Sequence, residues 1–210
     1  MINQLNLNIM RKINFLLFVI LAAFGFTIQA QSVDFGVKAG LNLASITGDD
    51  TSGLDSRTAF HFGVVAEISV SDKFSVQPEL LYSAQGAKES FLGESIKVNF
   101  DYLTLPIMAK FYVSKGFSLE AGPQLGFLMS SKIKAVGESE DLKDITKGID
   151  FGLDFGVGYK MDSGLNFGAR YNLGLSNFWD IPSGTVDPEF GIGDIKNQNA
   201  VIQLYVGYFF

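Results

Sequence analysis

Over most of this chain, large apolar side chains recur at every second residue, with small or polar ones between them. Phe60, Phe62, Val64, Ala66 and Ile68 alternate with His61, Gly63, Val65, Glu67 and Ser69, and Phe151, Leu153, Phe155, Val157 and Tyr159 alternate with Gly152, Asp154, Gly156, Gly158 and Lys160. Successive side chains of a strand point to opposite faces, so this period of two predicts strands with one greasy face each. Eight such segments are expected, at about 33–45, 58–70, 74–86, 95–113, 117–131, 149–160, 165–176 and 199–210. Long polar stretches at about 46–57, 87–94, 134–148 and 177–198 alternate with tight connections at Ser71-Asp72-Lys73, Ser114-Lys115-Gly116 and Asp162-Ser163-Gly164. An even strand count, long loops on one side, and short turns with both termini on the other describe an up-and-down transmembrane β-barrel of the outer membrane.

Volume decides which parity faces inward. The interior of an eight-stranded barrel is just wide enough for side chains to fill, so several large aromatics from every strand cannot all fit there, whereas the Gly-rich polar set can. The apolar set must then coat the outside, which is unfavourable in water and favourable in lipid at about 25 cal/mol per Å². Closure also leaves no unpaired strand edge in the hydrocarbon. A secreted lipocalin-type barrel would need the opposite arrangement, with the apolar parity lining a cavity.

One segment breaks the rule. Ile96, Val98, Phe100 and Tyr102 share a parity, while Leu103, Leu105, Ile107, Ala109 and Phe111 share the other. A β-bulge near Tyr102-Leu103 would return both sets to a single lipid face. Pro106 cannot donate to a ladder and points to the same irregularity; Pro78 and Pro123 raise the question in their own strands.

Composition narrows the classes. With 23 Gly, 20 Phe and 7 Tyr, and only 18% charged residues, the chain is rich in strand formers. Arg11 and Lys12 precede an apolar run from Phe15 to Phe26, and Ala30 offers a small residue for cleavage, so residues 1–30 are expected to be a removed signal peptide and 31–210 the barrel domain. With no Cys, neither a disulfide nor a thiolate site can form. A net charge of −6 argues against nucleic acid as a partner, because phosphate neutralisation needs clustered Lys and Arg. The last strand carries Ile202, Leu204, Val206, Tyr208 and Phe210 on one face, and its terminal aromatics Tyr208 and Phe210 are the form of barrel ending expected to engage barrel assembly machinery.

The inward parity gathers Lys38, His61, Glu67, Glu79, Glu120, Asp154, Lys160 and Arg170, with Gln77, Gln124, Asn172, Gln203 and Tyr205 beside them. Buried charges must be paired and hydrogen-bonded, so these residues read as a polar plug; the alternative is a narrow path for ions or small solutes. No catalytic residues are expected: a barrel-borne hydrolase needs a nucleophile, a base and an orienting acid, and the one His, His61, has no distinctive Ser motif near it. No cofactor is expected. Nor is a metal site, since Asp49, Asp50, Glu138, Glu140, Asp141 and Asp144 lack the spacing and turn Gly of a calcium loop. The fourth loop places Phe178, Trp179, Ile181, Pro182, Pro188, Phe190 and Ile192 in an otherwise polar stretch, where they form either a partner-binding surface or, with Phe178 and Trp179 in the interfacial aromatic girdle, a segment packed over the barrel mouth.

Val33 to Ile46 (VDFGVKAGLNLASI), Gln77 to Tyr82 (QPELLY), Tyr102 to Pro106 (YLTLP), Glu120 to Gly126 (EAGPQLG) and Arg170 to Gly174 (RYNLG) carry a family likeness. In their order they resemble the porin-like outer-membrane β-barrel proteins of Bacteroidetes, the PorT-like family. The resemblance implies an eight-stranded barrel in the outer membrane of a Gram-negative cell, among lipid and lipopolysaccharide. It leaves three roles open: a structural protein that meets a protein partner through its loops, a narrow porin-like channel, or an accessory of protein secretion.

Overall fold

A computed structural model describes residues 32–49, 51, 53–91, 94–135, 138–180 and 196–210. The expected signal peptide lies outside the described residues, as do residues 181–195 of the fourth loop. The strands are β1 (Val33–Gly48), β2 (Asp55–Ser71), β3 (Phe74–Phe91), β4 (Glu94–Tyr112), β5 (Phe117–Ala135), β6 (Glu138–Asp141), β7 (Ile149–Lys160), β8 (Leu165–Gly174) and β9 (Asn197–Phe209). Each of the others pairs antiparallel with its neighbour in the order β1-β2-β3-β4-β5-β7-β8-β9, and β9 returns to β1 through pairs from Gly36↔Phe209 to Gly48↔Asn197. Eight strands therefore form a closed antiparallel barrel, while four-residue β6 lies against the far end of β5.

Closure satisfies the backbone ladder internally, which is what allows sheet to cross a membrane. The outer wall is correspondingly apolar, with Phe35, Phe62 and Ile107 exposed by 64%, 52% and 52%. Gly116 and Gly164 sit in two of the short turns with φ of +79° and +87°, where a side chain would be strained. On the opposite side β3 and β4 run on to Phe91 and Glu94, so the polar stretch expected as the second loop is mostly paired ladder, with Ala87↔Val98 and Glu89↔Ile96 in register. Residues beyond the membrane need no lipid face to stay paired, which is why alternation understates their length.

The expected irregularity in the fourth strand takes a different form. Alternation along β4 is unbroken: Tyr102, Thr104, Met108 and Lys110 are all buried, so the apolar Val98, Phe100 and Tyr102 continue the inward parity and do not turn to lipid. The register shift lies on β5, where Asp101 pairs with Ser130 but Tyr102 with Leu128, leaving Met129 as the extra residue. This bulge reverses the parity of β5, turning Ser131 inward. Pro78 and Pro106 cause no shift; the pairs Pro78↔Ile107 and Pro106↔Gln124 stay in the register of their neighbours.

Glycines of the inward parity make space for one large side chain. Gly168 pairs with Tyr205 on β9 and with Gly158 on β7. A Cβ at Gly168 would lie 2.5 Å from the Tyr205 hydroxyl and 2.7 Å from its Cζ, and one at Gly158 would lie 2.9 Å from that hydroxyl. Gly168→Ala is expected to destabilise the barrel by about 1–3 kcal/mol, the usual cost of overpacking, as read by urea unfolding in micelles or lipid.

Candidate functional site in the barrel lumen

The lumen is a stack of polar layers that begins at the short-turn end. There Phe209 turns inward, and Lys160 Nζ sits 4.2 Å from its ring centroid. Lys160 bridges Asp34 at 2.7 Å and Glu67 at 3.2 Å. Glu67 also accepts hydrogen bonds from Ser75, at 2.8 Å, and from Tyr112. Lys110 links this layer to the next, lying 3.4 Å from Glu67, 3.5 Å from Glu120 and 3.0 Å from Gln77 Oε1.

At mid-height Arg170 grips Glu79 with both guanidinium ends: Nη2 donates to Oε1 at 2.9 Å and Nη1 to Oε2 at 3.1 Å. Lys38 donates to the same Glu79 at 2.8 Å, and Gln77 donates to it at 2.7 Å. Arg170 further meets Glu120 at 3.4 Å and Asp154 at 3.7 Å. Tyr205 lies beneath Lys38, 4.1 Å from ring centroid to Nζ, and donates its hydroxyl to Glu120 at 3.2 Å. Four cations (Lys38, Lys110, Lys160, Arg170) thus face four buried anions (Glu67, Glu79, Glu120, Asp154), with the more exposed Asp34 a fifth carboxylate at the short-turn end, and the fork geometry of Arg satisfies a carboxylate that Lys alone would leave half-bonded.

Above this core the charges give way to amides. Asn42 donates to Ser83 at 3.0 Å and to the Ala84 carbonyl at 2.7 Å, so its Oδ1 is the acceptor facing His61 Nδ1 at 2.7 Å. His61 therefore donates from Nδ1, and its Nε2 has no hydrogen-bond partner among the described residues. Higher still, Asn172 donates to Asp154 at 2.7 Å and Asn199 to Asp150 at 3.3 Å. The outer mouth is then covered by an apolar cluster of Phe100, Tyr102, Leu142, Phe178 and Trp179. Ring centroids of Phe100 and Phe178, and of Phe178 and Trp179, are 4.9 Å apart, and Trp179 Nε1 donates to Asn197 at 2.8 Å.

Of the residues expected in the lumen, Lys38, His61, Glu67, Glu79, Glu120, Asp154 and Arg170 are buried inside, and Lys160 lies half-buried at the short-turn end. Lys110, Asp34, Tyr112 and Asn42 belong to the same network and were not singled out from sequence. Lys110 shares the parity of Thr104 and Met108, so uninterrupted alternation in β4 was the signal for it. Phe178 and Trp179 are 1% and 8% exposed, packed into the apolar cluster at the mouth. Ile181 and Phe190 lie outside the described residues. Tyr208 and Phe210 point outward, with ring centroids 5.8 Å apart. The loop carboxylates Glu138, Glu140 and Asp141 are exposed on β6.

A closed wall greasy on the outside and ion-paired within defines a transmembrane β-barrel. The chain belongs to the family described as the outer membrane protein beta-barrel domain, whose model matches residues 29–180. Its place is the outer membrane. No curated protein matches it. Similar solved structures include Neisserial surface protein A, with 13% identity, 87% of this chain and 100% of that chain covered and a TM-score of 0.49. Ail, the attachment invasion locus protein of Yersinia pestis, has 16% identity, 84% and 98% coverage and a TM-score of 0.48. OprG from Pseudomonas aeruginosa has 14% identity, 86% and 97% coverage and a TM-score of 0.43.

Arg170→Met should cost about 3–5 kcal/mol in denaturant unfolding, because it strands Glu79 and Asp154 in a dry interior. The double change Arg170→Met with Glu79→Met should cost less than the sum of the two single changes, since the second substitution removes the carboxylate that the first leaves without its guanidinium. Phe178→Ala should cost about 3–5 kcal/mol on the same measure by emptying the centre of the apolar cap.

Proposed function

We propose that this protein is a non-catalytic outer-membrane barrel with a filled lumen, serving as a structural or interaction element through the surfaces it presents outside the cell. The observation that carries this reading is the ion-paired network around Arg170 and Glu79, covered on one side by the Phe100–Phe178–Trp179 cluster and on the other by Phe209. A solute passing through would have to break the bidentate Arg170–Glu79 pair and the ion pairs around it and then displace packed aromatics, each step costing several kcal/mol.

Residues 1–30 act as the removable export signal, and the outward Tyr208 and Phe210 as the handle for barrel assembly machinery. The motifs shared with the PorT-like proteins of Bacteroidetes support placement in that branch, from which an accessory role in secretion would follow. Since Phe178 and Trp179 are taken up by the cap, any loop-mediated contact falls to the segment holding Ile181 and Phe190.

A second reading, the narrow channel, is favoured by one observation: Gln85 Oε1, Asp150 Oδ1 and Asn199 Oδ1, in the outer half, have no hydrogen-bond partner among the described residues. Such oxygens suit water. Planar-bilayer recording separates the two readings. The filled barrel is expected to give no steady single-channel steps, and large, stable steps from wild-type protein would overturn it.

A further inference from the structure

The outer wall carries a feature that neither the lumen nor the fold requires. Lys88 on β3 pairs in register with Lys97 on β4, which pairs in turn with Lys134 on β5. Three ammonium groups thus stand side by side on adjacent strands, and Lys132 follows two pairs lower, opposite Asn99. Like charges directly opposite each other in a sheet are destabilising. Asp55 stands in register beyond Lys88, and Asp141 beyond Lys132, yet among the described residues none of the four lysines is in ion-pair contact with a carboxylate.

The row faces sideways. Val98 and Ile133, the immediate neighbours of Lys97 and Lys134, pack against the inward apolar cluster, so the lysines project from the wall away from the barrel axis. On these strands the apolar outer positions end at the register partners Tyr82, Leu103 and Phe127, with Met129 just above. Lys97 lies six residues beyond Leu103, about 20 Å of strand and roughly 15 Å of height at an ordinary strand tilt. The headgroup layer of a glycerophospholipid leaflet is only about 5–8 Å thick. Phosphate at the level of this row must be carried on a taller, sugar-built headgroup.

We propose that Lys88, Lys97 and Lys134, with Lys132 below them, form a binding site for the phosphate groups of an outer-leaflet glycolipid such as lipopolysaccharide. A lysine is a compact point charge suited to phosphate, and a row of three relieves its mutual repulsion by sharing anions. The site fixes the rotational setting of the barrel against its lipid neighbours on the β3–β5 side.

The test compares the full mature barrel with the triple variant Lys88→Gln, Lys97→Gln, Lys134→Gln in titrations with purified lipopolysaccharide in micelles. The Gln variant should bind about tenfold or more weakly, since each surface lysine adds appreciably to attraction for an anionic lipid layer, and the triple Lys→Arg variant should keep wild-type affinity. Phosphatase-treated lipopolysaccharide should lose the same affinity for wild type, and phosphatidylglycerol at equal phosphate should bind no better than that. Without lipid the Gln variant should unfold at the same or a higher temperature, having shed the repulsion, which certifies its fold. Equal affinity of the folded Gln variant, of dephosphorylated lipopolysaccharide or of phosphatidylglycerol would each overturn the site.

Discussion

Neutrality inside a narrow cylinder is the constraint on which the rest of this molecule depends. The wall must be apolar outside, so whatever polarity the strands carry is directed inward, where water is scarce. Arg170 resolves the largest part of that difficulty by taking both oxygens of Glu79 while staying within reach of Glu120 and Asp154. Lys38 and Lys110 complete the environment of those carboxylates, and Tyr205 supplies both a hydroxyl and a π face. Glycine at 158 and 168 is the steric counterpart of the same arrangement, since the ring of Tyr205 occupies the space their side chains would take.

The strand count, the tight turns and the identity of the lipid face were legible in period-two alternation, because lipid outside and a tight lumen inside leave little choice of parity, whereas the second long loop proved to be paired strand. Reading failed where that two-solvent rule stops applying. Above the membrane, Val98, Phe100 and Tyr102 are apolar and inward, since they meet the Phe178 and Trp179 side chains returning from a distant loop. No local pattern reveals a contact between residues so far apart in the chain. Lys110 was legible, since a lipid face running from Leu103 to Phe111 already turns it inward, but it was not singled out. The bulge was expected at nearly the right height on the wrong strand, because Met129 sits in a run where apolar and polar residues give no preference for either parity.

The two ends of the lumen are covered by different means. At the short-turn end a single penultimate aromatic, Phe209, lies against Lys160, while the terminal Phe210 remains outside and donates its backbone N–H to the Phe35 carbonyl at 2.9 Å. At the outer end the cover is assembled from β4, the segment after β6 and the segment after β8, and is locked by Trp179 donating to Asn197 and Asn197 donating to the Asp49 carbonyl at 2.7 Å. The external loops are therefore tied into the barrel by their bases, whatever their tips do.

The ion pairs that fill the lumen join residues remote in the chain: 91 positions separate Arg170 from Glu79, and 126 separate Lys160 from Asp34. A half-built sheet would hold Glu79 and Lys38 against acyl chains with the guanidinium still elsewhere. The interior is thus neutralised only when β8 brings Arg170 to Glu79, so closing the cylinder and discharging it are one and the same step.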